Sequence, residues 1–136
     1  MLVSTYLAPS THHGIGIFAQ EFIPRGTVVW EFSPGFDQIF TPETLAHLTP
    51  RQRDTILFYC YISQEMGGVV LCCDHARHFN FAADPNCGGG NNPDTVATTT
   101  VALRDILPGE ELTYPVEEDE DALRKLGPDV LAALRR

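Results

Sequence analysis

The chain has 136 residues, 43% of them hydrophobic and 20% charged, with 18 acidic side chains against nine basic ones and a formal charge of −9. That length suits one domain, burying about 68–70% of its unfolded surface, and the composition is globular rather than disordered or fibrous. No apolar run nears the ~18 residues of a membrane span, and an acidic surface repels phosphates, so neither a membrane protein nor direct nucleic-acid binding is expected. The acidic balance suits a cationic partner such as a Lys- or Arg-rich peptide, although acidity also serves solubility by itself. Residues 1–4 lack a basic stretch followed by an apolar core, so no secretory signal is expected. The four cysteines, Cys60, Cys72, Cys73 and Cys87, are too few and too irregular for a disulfide scaffold, which points to a reducing, cytoplasmic setting.

In chain order, Tyr6-Leu7-Ala8-Pro9 leads into a polar stretch ending at His12-His13, and Gly14-Ile15-Gly16-Ile17-Phe18-Ala19 follows. Pro24-Arg25-Gly26 is turn chemistry. Residues 27–32 are β-branched and aromatic and predict a strand. Ser33-Pro34-Gly35 turns it, and residues 36–40 are expected to form its short partner. Thr41-Pro42-Glu43 supplies an N-cap, a first-turn proline and a first-turn acid, predicting a helix to about His47 or Leu48. Thr49-Pro50-Arg51-Gln52 repeats the signal, with Gln52 placed to complete a capping box. This second helix is expected to carry Ile56, Phe58, Tyr59 and Tyr61. Gly67-Gly68 breaks the pattern, residues 69–73 predict a short apolar strand, and residues 74–92, rich in Asn, Asp, Gly and Pro, read as irregular. Residues 95–103 alternate as a strand, and Pro108-Gly109 turns the chain towards Leu112-Thr113-Tyr114. An acidic run at 117–121 precedes a helix expected around 123–134. The chain reads as one domain over 1–136, mainly β with short helices and a helical insertion.

Singly, the polar segments carry little. Gly14-x-Gly16 lacks the third, helix-opening glycine and the acidic ribose ligand of a dinucleotide fingerprint. Gly88-Gly89-Gly90-Asn91-Asn92 lacks the Lys and Ser/Thr of a phosphate loop and reads as a mobile surface loop. Cys72, Cys73, Asp74, His75, His78 and Cys87 include good zinc ligands. Adjacent cysteines on a strand point to opposite faces, however, so buried thiols are expected and no metal. His12 and His13 read as a solvated loop, because nothing near them in sequence orients a base.

In order and together, the segments resemble the SET-domain family of protein-lysine methyltransferases. His13-Gly14-Ile15-Gly16-Ile17-Phe18-Ala19 and Ile23-Pro24-Arg25-Gly26 are similar to the family's opening G-x-G motif and the turn after it. Arg77-His78-Phe79-Asn80-Phe81-Ala82-Ala83-Asp84-Pro85-Asn86 resembles R-F-x-N-H-S-x-x-P-N. Ala102-Leu103-Arg104-Asp105-Ile106 and Pro108-Gly109-Glu110-Glu111-Leu112-Thr113-Tyr114 resemble the strand, turn and G-E-E-L-T motif that close the domain. The run Trp30-Glu31-Phe32-Ser33-Pro34-Gly35-Phe36-Asp37 looks most like the compact stand-alone bacterial members.

The resemblance implies a SET-like core of about residues 6–116, with several small sheets and a C-terminal pseudoknot. It also implies S-adenosylmethionine as cofactor and a lysine of a basic protein or peptide as methyl acceptor. Gly14, Ile15 and Gly16 would meet the methionine part of the cofactor, with a strand-opening turn as their structural alternative. Asn80 would contact its amino-acid end, the alternative being a loop-stabilising Asn. Phe81 stands where the family has a histidine that holds adenine largely through main-chain atoms. Ala82 replaces the serine and its hydroxyl. In the family pattern E-L-T-x-x-Y the tyrosine hydroxyl sits beside the transferring methyl, but here Val116 occupies that place. Tyr114, about 6.6 Å earlier along an extended chain, is the stand-in, as catalytic and cofactor-binding residue, if Pro115 or a bulge re-aims it; otherwise it is a packed strand aromatic. Tyr59 and Tyr61 fall where the family has aromatics near the cofactor or lysine channel and are the other candidate catalytic residues near the methyl, with helix-core packing as their alternative. With no cysteine beyond Cys87, the helix from about Asp121 onward, or a second subunit of a homodimer, is expected to cover the cofactor. The departures at Phe81, Ala82 and Val116 leave two readings open, a weakened methyltransferase and an inactive SET-like module that binds S-adenosylmethionine or a basic partner.

Overall fold

The structure is a computed structural model that describes residues 1–63, 66–90 and 99–115. In chain order its strands are β1 Thr5–Pro9, β2 Ile15–Ala19, β3 Val28–Glu31, β4 Gln38–Phe40, β5 Tyr61–Ser63, β6 Gly68–Leu71, β7 Asn80–Ala82, β8 Cys87–Gly90, β9 Thr99–Ala102 and β10 Glu111–Pro115. Helices α1 (Pro42–Ala46) and α2 (Pro50–Tyr59) lie between β4 and β5, and a 3-10 turn, His75–His78, precedes β7. Among the described residues these form three small sheets, ordered β1-β2-β10-β7, β3-β9-β8 and β4-β6-β5. Among the described residues no helix is long and apolar enough to cross a membrane.

The first sheet explains how distant segments meet. β1 and β2 form an antiparallel hairpin, Thr5↔Ala19 through Pro9↔Ile15. Alternation along β2 buries Ile17 and Ala19 fully, while Phe18 on the other face stacks on Tyr6 at 5.5 Å. β10 joins β2 through Glu111↔Phe18 and Leu112↔Ile17, then runs parallel to β7 from Thr113↔Asn80 to Pro115↔Ala82. The closing strand therefore lies between the opening hairpin and the middle of the chain.

Two matching turns guide it there. Thr27 N–H donates to Pro24 O and Glu110 N–H to Leu107 O, both at 3.1 Å. The third residues, Gly26 and Gly109, have φ of +86° and +87°, the left-handed value that type II turns require. Beside them Ile23 and Ile106 exchange two backbone bonds of 2.8 Å, and both side chains are buried. They belong to a core with Ile17, Ala19, Val29, Cys87, Ala102 and Leu112. A second cluster, Trp30, Phe32, Val70, Cys72 and Ala76, lies under the third sheet and the 3-10 turn.

Both helix starts follow their sequence signals. Thr41 caps α1, and Thr49 with Gln52 completes a capping box on α2. Three expectations are corrected. Residues 36–40 do not pair with 27–32: β4 pairs with β6, and β3 with β9. Asp37 explains the diversion, its buried carboxylate accepting from Ser33 N–H at 2.8 Å and Cys73 N–H at 3.0 Å, so the turn is tied to the chain just after β6. Tyr61 is not on the second helix, because Cys60 turns extended (φ −85°, ψ 159°) and Tyr61 opens β5 opposite Val70. Of residues 74–92, those up to 90 are described, and they are not simply irregular either. They hold the 3-10 turn, β7 and β8, and Gly88-Gly89-Gly90 is a strand rather than a loop, paired with Val101, Thr100 and Thr99. Glycines show no side-chain alternation, and at Gly88 an added Cβ would sit 3.2 Å from the Leu103 side chain. The acidic run, the C-terminal helix expected within 117–136 and Val116 lie outside the described residues.

Candidate functional site

The site is built around Asn80, the first residue of β7. Its Nδ2 donates to His13 O at 2.8 Å, Ile15 O at 3.1 Å and Glu111 Oε2 at 3.0 Å. All three partners are acceptors only, which fixes the amide orientation and leaves Oδ1 as the atom for a ligand. Gly14, with φ +49°, lets the hairpin turn tightly between the two carbonyls that Asn80 holds. Behind it, buried Asn86 stitches the closing strand. Its Nδ2 donates to Glu111 O at 2.7 Å, its Oδ1 accepts from Thr113 N–H at 2.9 Å, and its own N–H donates to Thr113 Oγ1 at 3.3 Å.

Facing this wall is a cluster of rings around the Arg77 guanidinium. A cleft of about 290 Å³ is lined by His13, Gly14, Ile15, Asn80 and Phe81 on the sheet side and by Phe58, Tyr59, Arg77, His78 and Phe79 opposite. The Tyr59 ring meets Phe58 edge-on at 5.0 Å and His78 at 6.0 Å, and the Arg77 guanidinium lies 5.8 Å from its centroid. Arg77 Nε donates to Cys72 O at 3.0 Å, which anchors the guanidinium. Burial, then the neighbouring Arg77 and His75, hold His78 below the ordinary histidine range, so its imidazole is mainly neutral near pH 7.

Of the residues expected to bind cofactor, the structure brings Gly14, Ile15, Asn80 and Phe81 together in one cleft. Gly16 lies one step behind it, buried, with the Glu111 carboxylate against its α-carbon. Tyr114 neighbours Phe81 across the β7–β10 pair and meets the cleft through Phe79, the two rings 6.1 Å apart. Its hydroxyl rests 3.3 Å from where a Gly89 Cβ would be. Tyr59 lines the cleft, whereas Tyr61 packs edge-on against Trp30 at 6.1 Å, beside the second core cluster. His12 and His13 are exposed, and both their N–H groups donate to Ser10 Oγ. Burial pushes the Cys87 thiol up to about 12, so it stays protonated. Among the described residues no group of three or more His, Cys, Asp or Glu could hold a metal ion.

Sequence reasoning gave no role to Phe58, Arg77, Asn86, Glu111 or Ser10, and weighed His78 only as a zinc ligand. Ser10 and Glu111 stand 101 positions apart, a separation that no local pattern reports.

No curated protein matches the sequence. The fold is similar to that of a candidate histone methyltransferase from Plasmodium falciparum, with a TM-score of 0.62 at 15% identity, covering 88% of this chain and 98% of that one. It is also similar to a chain of the Chaetomium thermophilum polycomb repressive complex 2, with a TM-score of 0.67 at 22% identity, covering 88% of this chain but 16% of that one. A model of the SET domain matches residues 14–115, from the glycine hairpin to the last residue of β10, and the chain therefore belongs to the SET-domain family.

Proposed function

We propose that this protein transfers a methyl group from S-adenosylmethionine to a lysine side chain of a basic protein or peptide in the cytoplasm. The observation that carries the reading is Asn80, whose amide nitrogen is committed to three acceptors while its Oδ1 is left to the cleft. The residues present fit that cofactor. An acceptor oxygen and a guanidinium suit an ammonium and a carboxylate, and the rings of Phe58, Tyr59 and Phe81 suit a flat heterocycle.

The bound cofactor would supply a methyl group already activated by sulfonium charge. The protein's task is then alignment of a neutral amine and exclusion of water. We assign Asn80 Oδ1 to the ligand's ammonium and the remaining guanidinium donors of Arg77 to its carboxylate. Tyr59, on the cleft, and Tyr114, behind Phe79, are the hydroxyls assigned to orienting the incoming amine, and Tyr61 is left to packing against Trp30. The formal charge of −9 favours a basic substrate.

The test is calorimetric titration with S-adenosylmethionine and its demethylated product, followed by transfer of labelled methyl to a panel of basic proteins, for wild type and Tyr114→Phe. Both ligands should bind, label should appear on lysine, and the variant should slow transfer at least about tenfold. Binding without transfer to any substrate would replace this reading with a non-catalytic module. Absence of binding would remove it.

A further inference from the structure

We infer that Glu111 is a positioning residue for the cleft, and that Gly16 is glycine in order to admit its carboxylate. The inference rests on the cofactor reading above for what the cleft holds, but the contact itself stands without a ligand. A Cβ on Gly16 would lie 2.5 Å from Glu111 Oε2, 2.6 Å from its Cδ and 3.1 Å from its Oε1, so the three nearest atoms all belong to Glu111. Gly16 is not among the positive-φ glycines, so its need is for space and not for an unusual backbone.

The carboxylate thus seated collects donors from two other elements. Ser10 Oγ donates to it, 2.6 Å from Oε1 and 2.9 Å from Oε2, and Asn80 Nδ2 donates to Oε2 at 3.0 Å. Ser10 Oγ in turn accepts from His12 N–H at 2.9 Å and His13 N–H at 3.3 Å. Glu111 is therefore the point where the hairpin tip, β10 and β7 are tied together. The tip supplies His13, Gly14 and Ile15 to the cleft, and β7 supplies Asn80. A carboxylate only accepts, so with the two hairpin carbonyls it holds the Asn80 amide with nitrogen inward and oxygen towards the ligand. Alanine at position 16 would displace the flexible carboxylate rather than distort the backbone, and would act through Glu111.

The contact is tested on the ligand-free protein by thermal melts of Gly16→Ala, Glu111→Ala and the double variant. Gly16→Ala should lower Tm by several degrees in the wild-type background and by less than about a third as much beside Glu111→Ala. An equal loss in both backgrounds would overturn the contact. The positioning role is tested by calorimetry with the demethylated cofactor. Glu111→Gln, which keeps the size but sets an N–H₂ against donors, should weaken binding about tenfold, and Ser10→Ala about threefold. Wild-type affinity in Glu111→Gln would overturn positioning. A coupled melting cycle with no ligand bound even by wild type would instead overturn the cofactor reading, and positioning with it, leaving the contact standing.

Discussion

The two walls of the cleft are made in different ways. On the sheet side, His13, Ile15 and Asn80 are held by strand register and by hydrogen bonds that end on backbone atoms or on Glu111. On the other side, Phe58 and Tyr59 hang from the last turn of α2, a helix with no buried residue, and meet Arg77 and His78 through ring contacts. Backbone register presets geometry whether or not a ligand is present. Half-exposed rings set it weakly and have room to settle onto what binds. The sheet wall should therefore fail as structure as well as affinity, and the helical wall as affinity alone.

The largest effect expected is on the sheet side. Asn86→Ala removes two side-chain hydrogen bonds from a residue only 3% exposed and strands two backbone groups of β10. It should cost about 3 kcal/mol, or roughly 10 °C in Tm, read by thermal or denaturant unfolding. A loss under about 1 kcal/mol would mean that β10 is held by strand pairing alone. Asn80→Ala comes next, at about 2 kcal/mol of cofactor binding, near thirtyfold in Kd by calorimetry. Across the cleft, Tyr59→Leu should weaken binding about tenfold while moving stability by less than about 0.5 kcal/mol. A Tyr59→Leu protein that melts well below wild type would erase the distinction between the walls.

How legible this was in the sequence follows the same division. Gly14, Ile15, Asn80 and Phe81 could be named in advance because the order of motifs survives in the chain, and register then brings them together. Helix starts were legible from Thr41, Thr49 and Gln52, since capping is local chemistry. On the helical wall only Tyr59 was named, from the family's aromatics near the cofactor or lysine channel. Arg77 meets the Tyr59 ring directly although β5 and β6 separate the two along the chain, and His78 stands where the family's pattern has phenylalanine. Tyr61 was misplaced because aromatic residues at 58, 59 and 61 suit a helix until Cys60 turns extended. β8 was missed because three glycines carry no hydrophobic period.

The smallest effect expected belongs to His78, and it separates the walls by pH. Its pKa is lowered in the folded protein, first by burial, then by Arg77 and His75. The unfolded chain therefore binds its proton more readily. Stability from this group is complete above the ordinary histidine value of about 6.5 and is lost as pH falls from there through the lowered folded value. Protonation would also set a second cation beside Arg77, against the ring of Tyr59. His78→Gln should flatten the fall of Tm between pH 7 and the acid side of that window, leaving Tm at pH 8 nearly unchanged. The sheet-wall variant Asn80→Ala should keep the wild-type slope. Parallel Tm-against-pH curves for wild type and His78→Gln would show that the imidazole is solvated as in the unfolded chain, and that the helical wall is looser than its ring contacts imply.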